Sequence, residues 1–168
     1  MTLILRSANK NDLEILKIWD EDVDVSYSGG EDDHYDWEFE LNREVSWREI
    51  LIAQIDHTPI GVVVLIDVNE EESHYWGNEI AKETWAIDIW IGDKNNRSKG
   101  YGTQMMKQAI SRCLKIHLAK QVLIDPLASN VRAIEFYRRL GFKLIGPRRF
   151  GDDDCLVMSI DRVAFLRE

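Results

Sequence analysis

The chain has 168 residues, 45% of them hydrophobic, with 30 acidic against 21 basic side chains and a formal net charge of −9. That length suits one domain, residues 1–168, with a single core; the sign of the charge disfavours a nucleic-acid partner; and no apolar run approaches the about 20 residues of a membrane span. Residues 1–6 have neither the charged lead nor the apolar length of a signal peptide, so a cytoplasmic protein away from the membrane is expected, and a cationic partner would suit its charge.

Residues 3–6 read as a first strand and 11–19 as a helix, with Leu13, Leu16 and Trp19 at helical spacing. A further short helix fits between Glu31 and Asn42. Residues 45–55 and 60–68 read as a hairpin about His57-Thr58-Pro59, the second strand nearly continuous in apolar residues, as a strand buried on both faces should be. Residues 69–83 form a long polar connection, and 85–91 a further strand. Met106, Ala109, Ile110, Cys113, Leu114 and His117 make the stripe of a helix over 104–117, and 121–124 is a short strand. A helix over 130–140 follows, then a second hairpin, 143–149 and 155–160, about Gly151-Asp-Asp-Asp154. The order βαβββαβαββ describes an α/β (α+β) fold, a mixed sheet with helices on both faces.

Cys113 falls on the apolar helix face and reads as core, and neither it nor Cys155 has a partner spacing for zinc or redox chemistry. His34, His57, His74 and His117 are scattered. No metal site is expected.

The most informative stretch is Arg97-Ser98-Lys99-Gly100-Tyr101-Gly102-Thr103, a glycine-containing turn from a strand into a helix. The first amides of a helix lack intrahelical partners and lie at the positive end of its dipole, which suits a phosphate. Neither G-x-x-x-x-G-K-[ST] nor G-x-G-x-x-G is present. The R-x-x-G-x-G that remains resembles the acyl-CoA pyrophosphate loop of the GNAT superfamily of N-acetyltransferases. A second segment, Asp125-Pro126 through Asn130-x6-Tyr137-x2-Leu140-Gly141-Phe142, also resembles the GNAT pattern.

The resemblance implies a mixed, mostly antiparallel sheet of about seven strands and acetyl-CoA as cosubstrate. Arg97, Lys99, Gly100, Tyr101, Gly102 and Thr103 would hold its pyrophosphate, Ile89, Trp90 and Ile91 its extended pantetheine, and Asn130 and Ala133 the same arm. Asn130 equally suits a helix N-cap. Tyr137 matches the tyrosine that can protonate the leaving thiolate.

Asp88 places a carboxylate among apolar residues, on one strand face with Ala86 and Trp90, and a buried charge without a partner is costly. It reads as a general base or amine-binding anion, or as a satisfied structural aspartate at an edge. A narrower resemblance, through Asp88-x2-Ile91-Gly92, Ser98-Lys99-Gly100-x-Gly102-Thr103 and Ile124-Asp125-Pro126-x3-Asn130-x-Arg132-Ala133-Ile134-x2-Tyr137, is to aminoglycoside 6′-N-acetyltransferases. It implies that Asp88, Asp125 and Asp152 meet the amines of an aminoglycoside, that Glu31 belongs to an acidic Gly-Gly loop, and that Tyr75 and Trp76 could stack on sugar rings. Ser28 stands where that family has an aromatic before the two glycines; Tyr27 could substitute. The other readings are an acetyltransferase for another amine, such as a siderophore precursor or peptide N-terminus, and a non-catalytic acyl-CoA-binding module. Monomer and homodimer are both compatible with the sequence.

Overall fold

Apolar runs and alternations along the chain produce seven strands that join in one sheet, and the computed structural model describes residues 2–22 and 35–167. In chain order the elements are β1 (Leu3–Ser7), α1 (Leu13–Asp20), α2 (Trp37–Leu41), β2 (Arg48–Ile55), β3 (Thr58–Asp67), β4 (Thr84–Ile91), α3 (Tyr101–Lys115), β5 (Gln121–Ile124), α4 (Val131–Arg139), β6 (Lys143–Phe150), β7 (Asp153–Asp161) and α5 (Arg162–Leu166). The strands lie in the order β1-β2-β3-β4-β5-β7-β6, antiparallel at every junction except β4 with β5. This is the mixed, mostly antiparallel sheet expected from the sequence.

Strand alternation divides the core between two faces. On one face Leu51, Val63, Leu65, Trp85, Ile87, Val122 and Ile124 pack under the apolar stripe of α3, with Ile134 of α4 beside them. On the other, Ile52, Val62 and Val64 meet Leu16 and Trp19 of α1 and Trp37 of α2. Further along that second face, Ala86, Leu123, Cys155 and Val157 are covered by Val68, Trp76 and Phe150. The connection over 68–83 therefore carries a buried indole and is not a purely polar loop. Cys113 is fully buried, and burial pushes its thiol up to about 12, in keeping with a core role.

Turn chemistry sets the boundaries that differ from expectation. The first hairpin closes through Asp56 and His57, both at positive φ (47° and 70°), a turn whose twist matches its flanking strands, so Thr58 and Pro59 already belong to β3. The second turns through Gly151 and Asp152, leaving Asp153 and Asp154 in β7. The helix expected from residue 104 starts at Tyr101, because Gly100 takes a left-handed conformation (φ 84°) at its N-cap. α5 was not expected; Asp161 caps it by accepting from the Ala164 N–H at 2.7 Å.

Where β4 ends, the chain passes beneath the indole of Trp19. A Cβ on Gly92 would lie 2.0 Å from Cδ2 of that ring, so only glycine lets α1 seat against the exit from β4. Gly92→Ala should destabilise the fold by about 1–3 kcal/mol, the usual range for overpacking. A thermal melt checks this, and an unchanged midpoint would contradict the close approach.

Candidate functional site

β4 and β5 pair in parallel only over Thr84, Ala86 and the residue between them, opposite 121–123. β4 then runs on alone along β3 to Ile91. Its register fixes which backbone groups face the gap. The Gly92 N–H donates to the Ile60 carbonyl and the Val68 N–H to the Thr84 carbonyl, so even-numbered residues of β4 bond to β3. The N–H and C=O of Ile89 consequently point toward the side where β5 has left the ladder. The Ile91 carbonyl points the same way and accepts from Nε and Nη2 of Arg97 at 3.3 and 3.2 Å.

Two carboxylates stand at this mouth, on the face opposite α3. Asp88 comes from β4 and Asp125 directly follows β5. Each accepts a tyrosine hydroxyl at Oδ2: Tyr35 donates to Asp88, and Tyr75 to Asp125 at 2.6 Å. Burial pushes the Asp88 carboxyl above its ordinary range, against the Tyr35 hydrogen bond, which favours the ionised form. Burial, then the neighbouring Asp88 charge, raise Asp125 to about 7, opposed by the Tyr75 hydrogen bond and by Arg148. Two acids that each raise the proton affinity of the site suit proton uptake from, or pairing with, an ammonium group.

On the far side of β4, α3 opens with no side-chain cap and no acidic residue in its first turn. The N–H groups of Tyr101, Gly102 and Thr103 occupy that turn and meet solvent beside exposed Lys99. Arg132, at the start of α4, reaches across to donate to Ser98 Oγ at 2.7 Å. The arrangement offers donors suited to a phosphate.

Several side chains stand elsewhere than the sequence suggested. The guanidinium of Arg97 folds back onto the Ile91 carbonyl and pairs with Asp22 at 3.3 Å, so its charge is directed to the end of β4. Trp76 is only 4% exposed, in edge contact with Phe150, and offers no face to a sugar. Tyr75 stacks on Phe150 at 4.4 Å, leaving its hydroxyl, not its ring, for the mouth. The Trp90 side chain packs beside Tyr35 and Trp37, away from the α3 face. Asp152 is exposed at the tip of the β6–β7 hairpin, 3.9 Å from Arg149. The Asn130 side chain accepts from the Ala133 N–H at 3.1 Å, capping α4. Tyr137 lies in the same helix, its ring 5.7 Å from that of Phe142. Asp88 sits on the part of β4 beyond its pairing with β5, where the strand borders β3 alone. Tyr27 and Glu31 lie outside the described residues. Tyr35 carries no distinguishing signal as an isolated residue, and Arg132 stands in the sequence within the Asn130 to Tyr137 pattern without a role of its own; the tertiary fold brings both to the site.

A family profile described as an acetyltransferase (GNAT) domain matches residues 8–150. Among curated proteins, the chain is 26% identical over 116 residues to an aminoglycoside N(6′)-acetyltransferase type 1 of Klebsiella pneumoniae, covering 69% of this chain and 58% of that protein. It is 27% identical over 97 residues to a kanamycin resistance protein of Rhizobium radiobacter, covering 58% of this chain and 90% of the relative. The match thus spans less than two thirds of the length of the Klebsiella protein. Among solved structures, aminoglycoside acetyltransferase AAC(6′)-Ib in complex with coenzyme A superposes with a TM-score of 0.86 at 23% identity, covering 99% of this chain and 98% of that one. A spermidine N-acetyltransferase from Vibrio cholerae, in complex with CoA and spermine, gives 0.78 at 16% identity, with 98% of both chains covered. At these identities the superpositions establish a shared fold.

The raised Asp125 carboxyl has a consequence for stability. Folded, it keeps its proton up to about pH 7; unfolded, it loses it near the ordinary aspartate value of about 4. Between those values the folded state binds more protons, so stability falls as the pH rises. Asp125→Asn should therefore raise the melting temperature at pH 8 and leave it nearly unchanged at pH 4. Equal shifts at both pH values would contradict the assignment.

Proposed function

The chain belongs to the GNAT family of acetyltransferase domains, and from that premise we propose that it transfers the acetyl group of acetyl-CoA to the 6′-amino group of an aminoglycoside. The observation that carries this reading is the Asp88–Asp125 pair at the parting of β4 and β5, which offers two carboxylates to a substrate bearing several ammonium groups. The curated relatives named for aminoglycoside acetylation and kanamycin resistance support the substrate class. Acetylation of the amine removes a cation that such a drug presents to ribosomal RNA, and resistance is the proposed consequence.

The donor set suits acetyl-CoA. The first-turn amides of α3, with Lys99 and Arg132 alongside, would hold the pyrophosphate. The Ile89 N–H and C=O would bond the extended pantetheine as a missing strand would, with Trp90 and Ile91 shaping the same edge. Oδ1 of Asn130 is engaged by its helix, so its amide N–H groups would be the ones that reach the arm. Arg97 would contribute by fixing the strand end beneath the loop, not by direct charge.

Transfer forms an N–C bond and breaks the C–S bond, so the amine must lose a proton and the departing sulfur gain one. Asp88 would take the amine proton or anchor the ammonium, with Asp125 holding a neighbouring cationic group. Tyr137 would protonate the thiolate. Asp152 would add a carboxylate at the rim. The side chain of Trp76 has no part in this scheme, and Tyr75 acts through Asp125.

A linear polyamine is the second reading, favoured by the spermidine acetyltransferase fold match, since it also presents several cations. The deciding experiment measures thiol release from acetyl-CoA with kanamycin and ribostamycin against spermidine, lysine analogues and peptides. Saturable release with the aminoglycosides, acetylated at the 6′ nitrogen by mass and NMR analysis, is expected. Release with spermidine alone would replace the substrate, and acetyl-CoA binding without any release would leave an acyl-CoA-binding module. Asp88→Asn should lower turnover about 10²-fold or more with acetyl-CoA affinity kept. Gly102→Val should do the reverse: a Cβ there already meets Phe136 at 3.6 Å, and the added methyl groups would crowd Ile91 and the first-turn amides.

A further inference from the structure

Asp88 must stay ionised and correctly turned in a site whose burial favours the protonated form. We propose that Tyr35 is a positioning residue for Asp88 in the acetyl transfer put forward above, holding its carboxylate by one oxygen and leaving the other to the substrate amine. The hydroxyl of Tyr35 donates to Oδ2, and among the described residues no donor is bonded to Oδ1.

The tyrosine is itself held. Its ring stacks on Trp37 at 4.9 Å with an interplanar angle of 22°, and lies 6.1 Å from Trp90. Trp37 is buried, and its indole N–H donates to Asp20 at 2.7 Å, which ties the stack to α1. Tyr35 also directly precedes Asp36, the cap of α2, which accepts from the Phe39 N–H at 3.2 Å. A rigid aromatic arm with one polar tip is therefore aimed at the carboxylate.

The same unit reaches the second acid. Arg43, just beyond α2, makes two hydrogen bonds to Glu40, at 3.0 and 3.1 Å, and pairs with Glu72 at 2.8 Å. Glu72 lies in the connection that delivers Tyr75 to Asp125, and Glu71 beside it accepts from the Tyr75 N–H at 3.0 Å. The two tyrosines are thus carried by segments joined through Arg43.

The charged and titratable groups around Asp88 are few. Tyr35 faces it from ahead of α2, Asp125 from the end of β5, and Tyr75 and Arg148 act on it through Asp125. Arg48 of β2 lies behind Tyr35. Of these, only Tyr35 bonds Asp88 directly, so loss of its hydroxyl leaves burial unopposed.

The test follows carboxyl-carbon resonances of the full chain carrying 13C-labelled aspartate, with Asp88 assigned by its loss in Asp88→Asn. Tyr35→Phe keeps the ring stack and removes only the hydroxyl. It should raise the Asp88 titration midpoint by about one pH unit or more, the size expected for one hydrogen bond to a charged group. The melting temperature and the KM for acetyl-CoA should stay close to wild type, while kcat with the amine falls and the acid limb of kcat/KM moves up in pH. Tyr35→Ala should shift the midpoint by as much as Tyr35→Phe. An unchanged midpoint in Tyr35→Phe, or a shift confined to Tyr35→Ala, would overturn the proposal, the latter by assigning the effect to ring packing. The titration needs no turnover, so a chain that acetylates no amine would refute the proposed reaction while the midpoint still decides the role of Tyr35.

Discussion

The parting of β4 from β5 is the constraint on which the site depends. β5 has four residues against eight in β4, and its parallel pairing with β4 reaches only Leu123. The segment beyond stays on β7: the Pro126 carbonyl accepts from the Leu156 N–H at 2.9 Å, and the Ala128 N–H donates to the Asp154 carbonyl at 2.8 Å. The register with β7 therefore continues past residue 124, while the pairing with β4 has already ended at Leu123. The unpaired backbone of β4 is the cost, and it is also what an extended ligand could complete.

One strand can then serve two partners because its three directions are separate. Odd side chains of β4 anchor in the core under α3, odd backbone groups face the gap, and even side chains such as Asp88 rise on the other face. An anionic ligand entering beside α3 and a cationic one entering beside α2 would meet at the same few residues without sharing charged contacts. The turn after β4 keeps this geometry in place through Trp19 over Gly92 and Arg97 on the Ile91 carbonyl.

Much of the fold was readable from local pattern, because continuous apolar runs such as 60–66 and the stripe from Met106 to Leu114 have one stable burial each. The loop ahead of Tyr101 and the oddly placed Asp88 were readable for a related reason: glycine and an acid in apolar surroundings break local rules. What escaped depended on partners far away in sequence. Trp76 reads as a loop aromatic, yet it is buried by Phe150 and Val157 from the last hairpin. Arg97 reads as a free cation beside a phosphate loop until Asp22 is brought to it. Tyr35 sits 53 residues from the carboxylate it bonds, in a stretch whose charges suggest only surface. Tyr27 and Glu31 lie outside the described residues, and their roles rest on sequence alone.

The charge distribution also follows from the fold. For the anionic cosubstrate proposed above, a chain of net charge −9 could not rely on its overall field. With the Arg97 guanidinium turned back, side-chain charge near the first turn of α3 comes from Lys99 and Arg132, both exposed and screened by solvent. Backbone amides at the head of a 15-residue helix carry no such penalty, since they are fixed, already dehydrated on one side and aligned with the helix dipole. The acidic surplus is then free to act on the other face of β4, where Asp88 and Asp125 face each other. In the proposed reaction, local backbone geometry would supply the attraction for the anion, and side-chain carboxylates would supply it for the cation.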